Sequence, residues 1–322
     1  MTGSAIDRLS SDTVAVHPLD PDDAAITAAM RTMASSSKGV ARGVEARKPF
    51  DALMENVLPR RDVIFEADTL GGVPGLWAHP VNWRSDEAIV HLHGGWFNFG
   101  SAKAYRHLIG HIAARAAART FVPDYRLAPE HPFPAATDDV LACYRGLAGK
   151  DVQRIALTGD SAGGNLALGL ASQVAGPATP VALVAVAVMS PVTDLTLSGA
   201  SYDTRADADP LFTRPQVAEL VKSYLGDAAP KQPLASPLFS RYAGIPSVRL
   251  HVGDDEVLLD DSLRYVERAV AAHVDARADV WMGMPHGFVG SIGKLKAASL
   301  ALDAIGMYLA GAFASRKHLE KP

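Results

Sequence analysis

The chain carries a single cysteine, Cys143, so an internal disulfide is excluded. No Cys/His signature surrounds Cys143, and it lies in a helix-like run from Ala136 to Leu147, where it reads as a small buried hydrophobe. Asp7, Arg8 and Asp12 interrupt the start of the chain before an apolar stretch forms, which argues against a signal peptide. The longest apolar run, Val181 to Met189, is too short to cross a bilayer, so membrane insertion is not expected and a cytoplasmic location is. Charge of one sign is also missing: the formal net charge is −4, with both signs interspersed. No basic stripe with interleaved aromatics occurs, which makes nucleic acid a poor partner. Internal repeats are absent, and the only low-complexity tract is Ser35-Ser36-Ser37.

What is present is apolar residue. Hydrophobic side chains make up 48% of 322 residues, enough for a large core and too many for disorder. From Val63 onward strand and helix patterns alternate. The expected strands are Val63 to Ala67, Gly75 to Ala78, Ala88 to His93, Thr120 to Pro123, Arg154 to Thr158, Val181 to Met189, Val248 to Val252 and Arg277 to Trp281. Helices are expected at Ala104 to Ala118, Thr137 to Leu147, Gly164 to Val174, Asp261 to Ala272 and Leu295 to Phe313. This predicts an α/β fold: a mostly parallel central sheet of about eight strands, helices on both faces, and the first strands antiparallel.

Two segments break the rhythm. Residues 1–58 carry helical stretches at Ala24 to Ala34, opened by Asp20, Asp22 and Asp23, and at Val40 to Met54, but no evident strand. They read as an N-terminal cap. Residues 191–245 hold six prolines and one helix, Arg214 to Leu225, and read as a second cap insertion over the strand carboxyl ends. The remainder, 59–190 and 246–322, forms the core.

The strongest motif is Gly159-Asp160-Ser161-Ala162-Gly163, a G-x-S-x-G pattern between an expected strand and an expected helix. On such a tight turn a serine projects as a nucleophile, and the flanking glycines avoid collision with neighbouring backbone. A Gly/Ser-rich turn without chemistry is the plain alternative, and the strand-turn-helix context disfavours it. Upstream, His93-Gly94-Gly95-Trp96 ends another strand and fits an oxyanion-hole loop of the HGGG type, with Trp96 where a third glycine would stand. Backbone amides build such a hole, so Trp96 removes no donor but brings an indole close to the reacting carbonyl. Gly94 shapes the loop, and His93 reads as a strand-end residue bonding it.

These motifs, with Gly100, Tyr125-Arg126-Leu127-Ala128-Pro129-Glu130, Pro132-Phe133-Pro134-Ala135 and Pro285-His286-Gly287-Phe288, resemble the bacterial hormone-sensitive-lipase-like family of α/β-hydrolase carboxylesterases over about Ala88 to Phe288. The resemblance implies the α/β-hydrolase fold with a helical cap, a serine hydrolase acting on a small-molecule ester, and oxyanion-hole amides from Gly95, Trp96 and Ala162. No cofactor or metal is implied, and a homodimer is left open.

In this fold the triad order is serine, acid, histidine. His286 follows the expected strand Arg277 to Trp281, whereas His273 falls in an expected helix and His318 in the polar tail. The acid must follow Val248 to Val252, where Asp254, Asp255, Glu256, Asp260 and Asp261 all stand. The family pattern, acid-x-Leu-x-Asp, selects Glu256 with Leu258 and Asp260; Asp255 is one residue out of register. The family's usual acid is aspartate. The other acids read as helix N-terminal charges. The expected catalytic set is therefore Ser161, Glu256 and His286, with a short-acyl preference from Trp96 and the enclosing caps. Lactonase, amidase or acyltransferase chemistry would use the same groups, and a non-catalytic receptor of the same fold is the alternative of a different class.

Two metal readings are weak. His107 and His111 are spaced i, i+4 but lack the zincin glutamate, and read as a solvated helix face. The acidic run 254–261 lacks EF-hand spacing and its turn glycine.

Overall fold

A computed structural model describes residues 10–40, 43–176 and 179–315. Asp7, Arg8 and His318 lie outside them. Nine strands form one sheet: β1 (Val14–His17), β2 (Val63–Leu70), β3 (Val73–Pro80), β4 (Glu87–Leu92), β5 (Arg119–Pro123), β6 (Arg154–Asp160), β7 (Ala182–Met189), β8 (Val248–Gly253) and β9 (Ala276–Trp281). Their order is β1-β9-β8-β7-β6-β4-β5-β3-β2. Only β3 runs against the rest, pairing antiparallel with β2 and β5.

The nine helices among the described residues are α1 (Pro21–Ala34), α2 (Arg47–Glu55), α3 (Ala102–Ala116), α4 (Ala135–Gly146), α5 (Ala162–Gln173), α6 (Ser201–Thr204), α7 (Arg214–Leu225), α8 (Leu259–Ala271) and α9 (Lys296–Ser315). β7 shows why the sheet must be covered twice. Its alternation sends Val186 and Val188 into one core with α4, α5 and α8, and Ala185, Ala187 and Met189 into another with α3 and α9. Cys143 is fully buried in the first core, and burial pushes its thiol up to about 12, so it is an inert hydrophobe.

Several expectations are corrected. The sheet has nine strands, not about eight, because the first 58 residues do contain one. β1 is a four-residue edge strand with only Val14 buried, too short to stand out in the sequence. It pairs parallel with β9, and the His17 ring stacks on Trp281 with centroids 3.9 Å apart. β2 and β3 run further than expected because Gly71 and Gly72, both at positive φ, join them as a two-residue hairpin. The stretch 40–54 is not one helix. Pro49 cannot supply a helical N–H, so α2 starts at Arg47 behind a short 3-10 turn, Val44–Ala46. His273 lies past the end of α8 in a left-handed turn, not in the helix. His111 is buried, not solvated: it lies 2.7 Å from the Leu58 carbonyl and takes an Arg115 N–H at 2.9 Å.

Helix α9 is long and apolar enough to cross a membrane by length and composition. Asp303 interrupts its apolar run in the sequence. Ala298, Ala301, Leu302, Ile305, Leu309 and Phe313 pack one face of it into the core, while Leu300 and Met307 stay exposed.

Residues 191–245 enter between β7 and β8 and supply α6 and α7, the latter with the expected bounds. They bond directly to the N-terminal segment: Lys38 Nζ donates to the Ala206 carbonyl at 2.6 Å, and Gln216 Nε2 donates to the Val40 carbonyl at 2.8 Å.

Candidate active site

Ser161 alone makes the turn between β6 and α5, at φ 53° and ψ −119°. That left-handed conformation costs a non-glycine residue about 1–3 kcal/mol and survives only where the surroundings over-determine it. They do so here. The Ser161 N–H donates to the Met189 carbonyl at 2.8 Å, and the Ser161 carbonyl accepts from Val192 and Asn165 at 3.1 and 3.2 Å. A Cβ at Gly163 would overlap the Leu92 carbonyl oxygen, and one at Gly159 would overlap the Gly163 carbonyl. Both motif glycines are therefore required by close backbone approach. Among the described residues, Ser161 Oγ has no hydrogen-bond partner, and its residue is 3% exposed.

The loop after β4 comes up beside this turn. Gly94 N–H donates to Asp160 Oδ1 at 3.0 Å and to the Tyr105 hydroxyl at 3.1 Å, while that hydroxyl donates to Asp160 Oδ2 at 2.9 Å. Asp160, the first of the two variable residues of the serine motif, thus fixes the loop opposite the serine. His93 is structural, as expected: its ring stacks on Tyr125 at 4.2 Å and its Nδ1–H donates to the Gly94 carbonyl at 2.8 Å. Gly95, Trp96 and Phe97 follow at φ 113°, 52° and 62°. The Gly95 carbonyl is used, accepting from Asn98 and Phe99. The amides of Gly95, Trp96 and Ala162 donate to no acceptor among the described residues. Ala162 is the first residue of α5, where helix amides are free and the dipole is positive.

Glu256 and His286 are brought together from the loops after β8 and β9. His286 Nδ1 lies 2.7 Å from Glu256 Oε2. The other carboxylate oxygen, Oε1, accepts from Ser190 Oγ at 2.7 Å and from Gly253 N–H at 2.6 Å. Glu256 is fully buried, and both of its carboxylate oxygens are hydrogen-bonded. Burial pulls the His286 imidazole down, but the Glu256 charge and hydrogen bond, then the charges of Asp209 and Asp160, outweigh it and raise its pKa above the ordinary value.

The neighbouring acids are not simply helix-end charges. Asp255 pairs with Arg31 of α1, and Asp254 pairs with Arg205 at 2.8 Å. Arg31 also donates to the Ala208 carbonyl at 2.9 Å. Asp260 and Asp261 do open α8, but their carboxylates also accept from Ser201 N–H and from the Thr193 and Asp194 N–H groups. A loop this buried leaves little carboxylate surface to solvent, so each acid is taken by a group from α1 or from residues 191–245.

Sequence reasoning missed the aromatic cover. Phe212, from the inserted segment, stands edge-on to both Trp96 (5.4 Å between centroids) and His286 (5.1 Å). It also missed Ser190, although a serine at the carboxyl end of β7 is a readable signal in this fold. Among the described residues, no group of three or more His, Cys, Asp or Glu side chains is arranged to hold a metal.

Residues 89–290 match the family model described as alpha/beta hydrolase fold. The chain is 34% identical over 231 residues to an acetyl-hydrolase of Streptomyces hygroscopicus, covering 71% of this chain and 75% of that one. It is 36% identical over 207 residues to an esterase of Acinetobacter venetianus, covering 63% and 67%. A crystal structure of an esterase from the bacterial hormone-sensitive lipase family superposes with a TM-score of 0.83 at 34% identity, covering 91% of this chain and 99% of that one. Fold and sequence together define an α/β-hydrolase. The chain belongs to the bacterial hormone-sensitive-lipase-like carboxylesterases of that fold.

Proposed function

We propose that the protein hydrolyses carboxylic esters with short acyl chains, using Ser161 as nucleophile, His286 as general base and Glu256 as its orienting acid. The observation that carries this reading is the 2.7 Å bond from His286 Nδ1 to a buried Glu256 whose other oxygen is held by Ser190 and Gly253. It fixes the tautomer, leaving Nε2 as the proton acceptor. Ser161 Oγ attacks the ester carbonyl carbon as its proton passes to His286 Nε2. The oxyanion is held by the amides of Gly95, Trp96 and Ala162, each worth about 2.7–4 kcal/mol by analogy with single-donor deletions. Collapse breaks the ester C–O bond, and His286 returns the proton to the departing alcohol oxygen. Water, deprotonated by His286, then opens the acyl-enzyme and releases the acid.

The short-acyl reading is supported by two buried rings, Phe212 packed against His286 and Trp96 packed against Phe212. Residues 10–58 apart from β1, and residues 191–245, act as caps over the strand ends. A p-nitrophenyl ester panel from acetate to palmitate, with amide and lactone analogues, tests the substrate class. Turnover should be greatest on the shorter esters and lost in Ser161→Ala. Preferential turnover of amides or lactones would transfer the activity to that class, and no turnover at all would favour a ligand-binding role.

A further inference from the structure

Asp209 lies in the inserted segment, contributes no atom to the mechanism above, and is completely buried. Its two carboxylate oxygens serve two different parts of the fold. Oδ1 accepts from the N–H groups of Leu211 and Phe212 at 2.8 and 2.9 Å, which turns the chain so that the Phe212 ring reaches the edge of His286. Oδ2 accepts from Val257 N–H at 2.9 Å, the residue directly after Glu256. One carboxylate thus bonds the cap to the acid's loop and sets the ring against the base.

We propose that Asp209 is a positioning residue for the catalytic pair: through Val257 and Phe212 it fixes Glu256 and His286, and its charge supports the protonated imidazole in the transition state. The inference rests on the ester-hydrolase reading. Four features favour it over mere cap packing. The residue bridges to the acid loop rather than staying inside its own turn. Three N–H donors hold the ionised form, although burial pushes the carboxyl up. The charge reaches His286 and raises it, alongside Glu256 from the β8 loop and Asp160 from the serine turn. The acids that precede Glu256 on its loop, Asp254 and Asp255, are paired with Arg205 and Arg31, so their loss would not reproduce the effect.

The test is Asp209→Asn in the full chain, with kcat, KM and the pH profile of kcat/KM measured on a short p-nitrophenyl ester. The amide keeps the volume but loses the charge and one acceptor. The expected result is a fall in kcat of about tenfold or more with KM little changed, and an acid-limb inflection moved to lower pH by about half a unit or more. A lower inflection follows because a negative charge that favoured the imidazolium is gone. Asp203→Asn, exposed in the same segment, should move neither. An unchanged inflection together with an unchanged kcat would overturn the proposal. Should Asp209→Asn fail to fold, Phe212→Ala decides: kcat should fall without an acidward shift, because only the contact and not the charge is removed, whereas wild-type kcat would overturn it. Loss of activity in Ser161→Ala and His286→Ala, with Asp209→Asn at wild-type level, would defeat this inference alone; activity surviving in the first two would defeat the ester-hydrolase reading itself.

Discussion

Glu256 and His286 share a 2.7 Å hydrogen bond, while Asp255, one residue earlier, is turned away and paired with Arg31. A glutamate is one methylene longer than the family's aspartate, and the loop absorbs that length by bonding Oε1 back to Gly253 N–H at the end of β8. The register of the acid loop is thereby a question of energetics that two single variants resolve. Glu256→Ala should lower kcat by about 10⁴-fold, the scale seen when a triad histidine loses its orienting acid. Asp255→Ala should cost no more than about tenfold, since it removes only a contact to a part-exposed arginine of α1. Circular dichroism must show both variants folded. The reverse pattern of activities would assign the role to Asp255.

The pH dependence carries a sign. A histidine base must be neutral to accept the serine proton, and the folded-state pKa of His286 is raised. kcat/KM should therefore rise through a single inflection lying above the ordinary histidine value of about 6.5. Ser190→Ala frees Glu256 Oε1 from one donor and leaves more negative charge facing the imidazole, so the inflection should move higher still. A pH–rate profile flat from pH 5 to 8, measured with substrate below KM, would argue against a histidine base.

Much of this site was readable because its residues sit in dense local patterns. The serine motif declares itself through glycines that must lie against Leu92 and Gly163 carbonyls, and β7 declares itself by being apolar at nearly every position. Motif order and offset pointed to the two residues, His286 and Glu256, that the fold brings within 2.7 Å of each other. What escaped notice is long-range or short. β1 contributes one buried residue and is defined only by its partner β9. Phe212 and Asp209 lie in irregular chain, where no period marks a side chain that faces the site. Arg31 lies on a regular helix, yet nothing along α1 foretells a carboxylate more than two hundred residues away.

Asp261 links α8 to the segment after β7 at a cost that depends on pH. Burial first, then the charge of Asp194, push its carboxyl up to about 7, against the N–H bonds of Thr193 and Asp194 and the charge of Arg264. The folded pKa lies above the unfolded value of about 3.9, so stability is greatest below that unfolded value and falls as pH rises through the interval to about 7. Asp261→Asn keeps an oxygen for the two amides at 2.6 and 2.9 Å and removes the charge. Its Tm should exceed that of the parent at pH 8 and be flatter between pH 4 and 7. Scanning calorimetry at both ends of that range checks this; a lower Tm at pH 8 would show that the ionised form is better solvated than its burial implies.

Trp96 decides between two opposed effects. It holds a left-handed backbone conformation, φ 52°, that glycine adopts freely. Trp96→Gly should therefore recover about 1–3 kcal/mol of backbone strain. The indole is also 4% exposed and packed edge-on against Phe212, and removing a buried tryptophan side chain costs about 3–5 kcal/mol. Packing wins, and the variant should melt a few degrees lower. Among the described residues the indole N–H has no hydrogen-bond partner, so no polar contact is lost to add to that cost. The amide at position 96 remains, so turnover of acetate esters should persist. The vacated volume borders Phe212 and, through it, His286, so longer or branched acyl groups should gain. The ratio of kcat/KM for octanoate over acetate should rise by about tenfold or more, the scale of one to two methylenes newly accommodated. A wild type that already favours long-chain esters, or a variant with an unaltered chain-length profile, would show that Trp96 does not bound the acyl pocket.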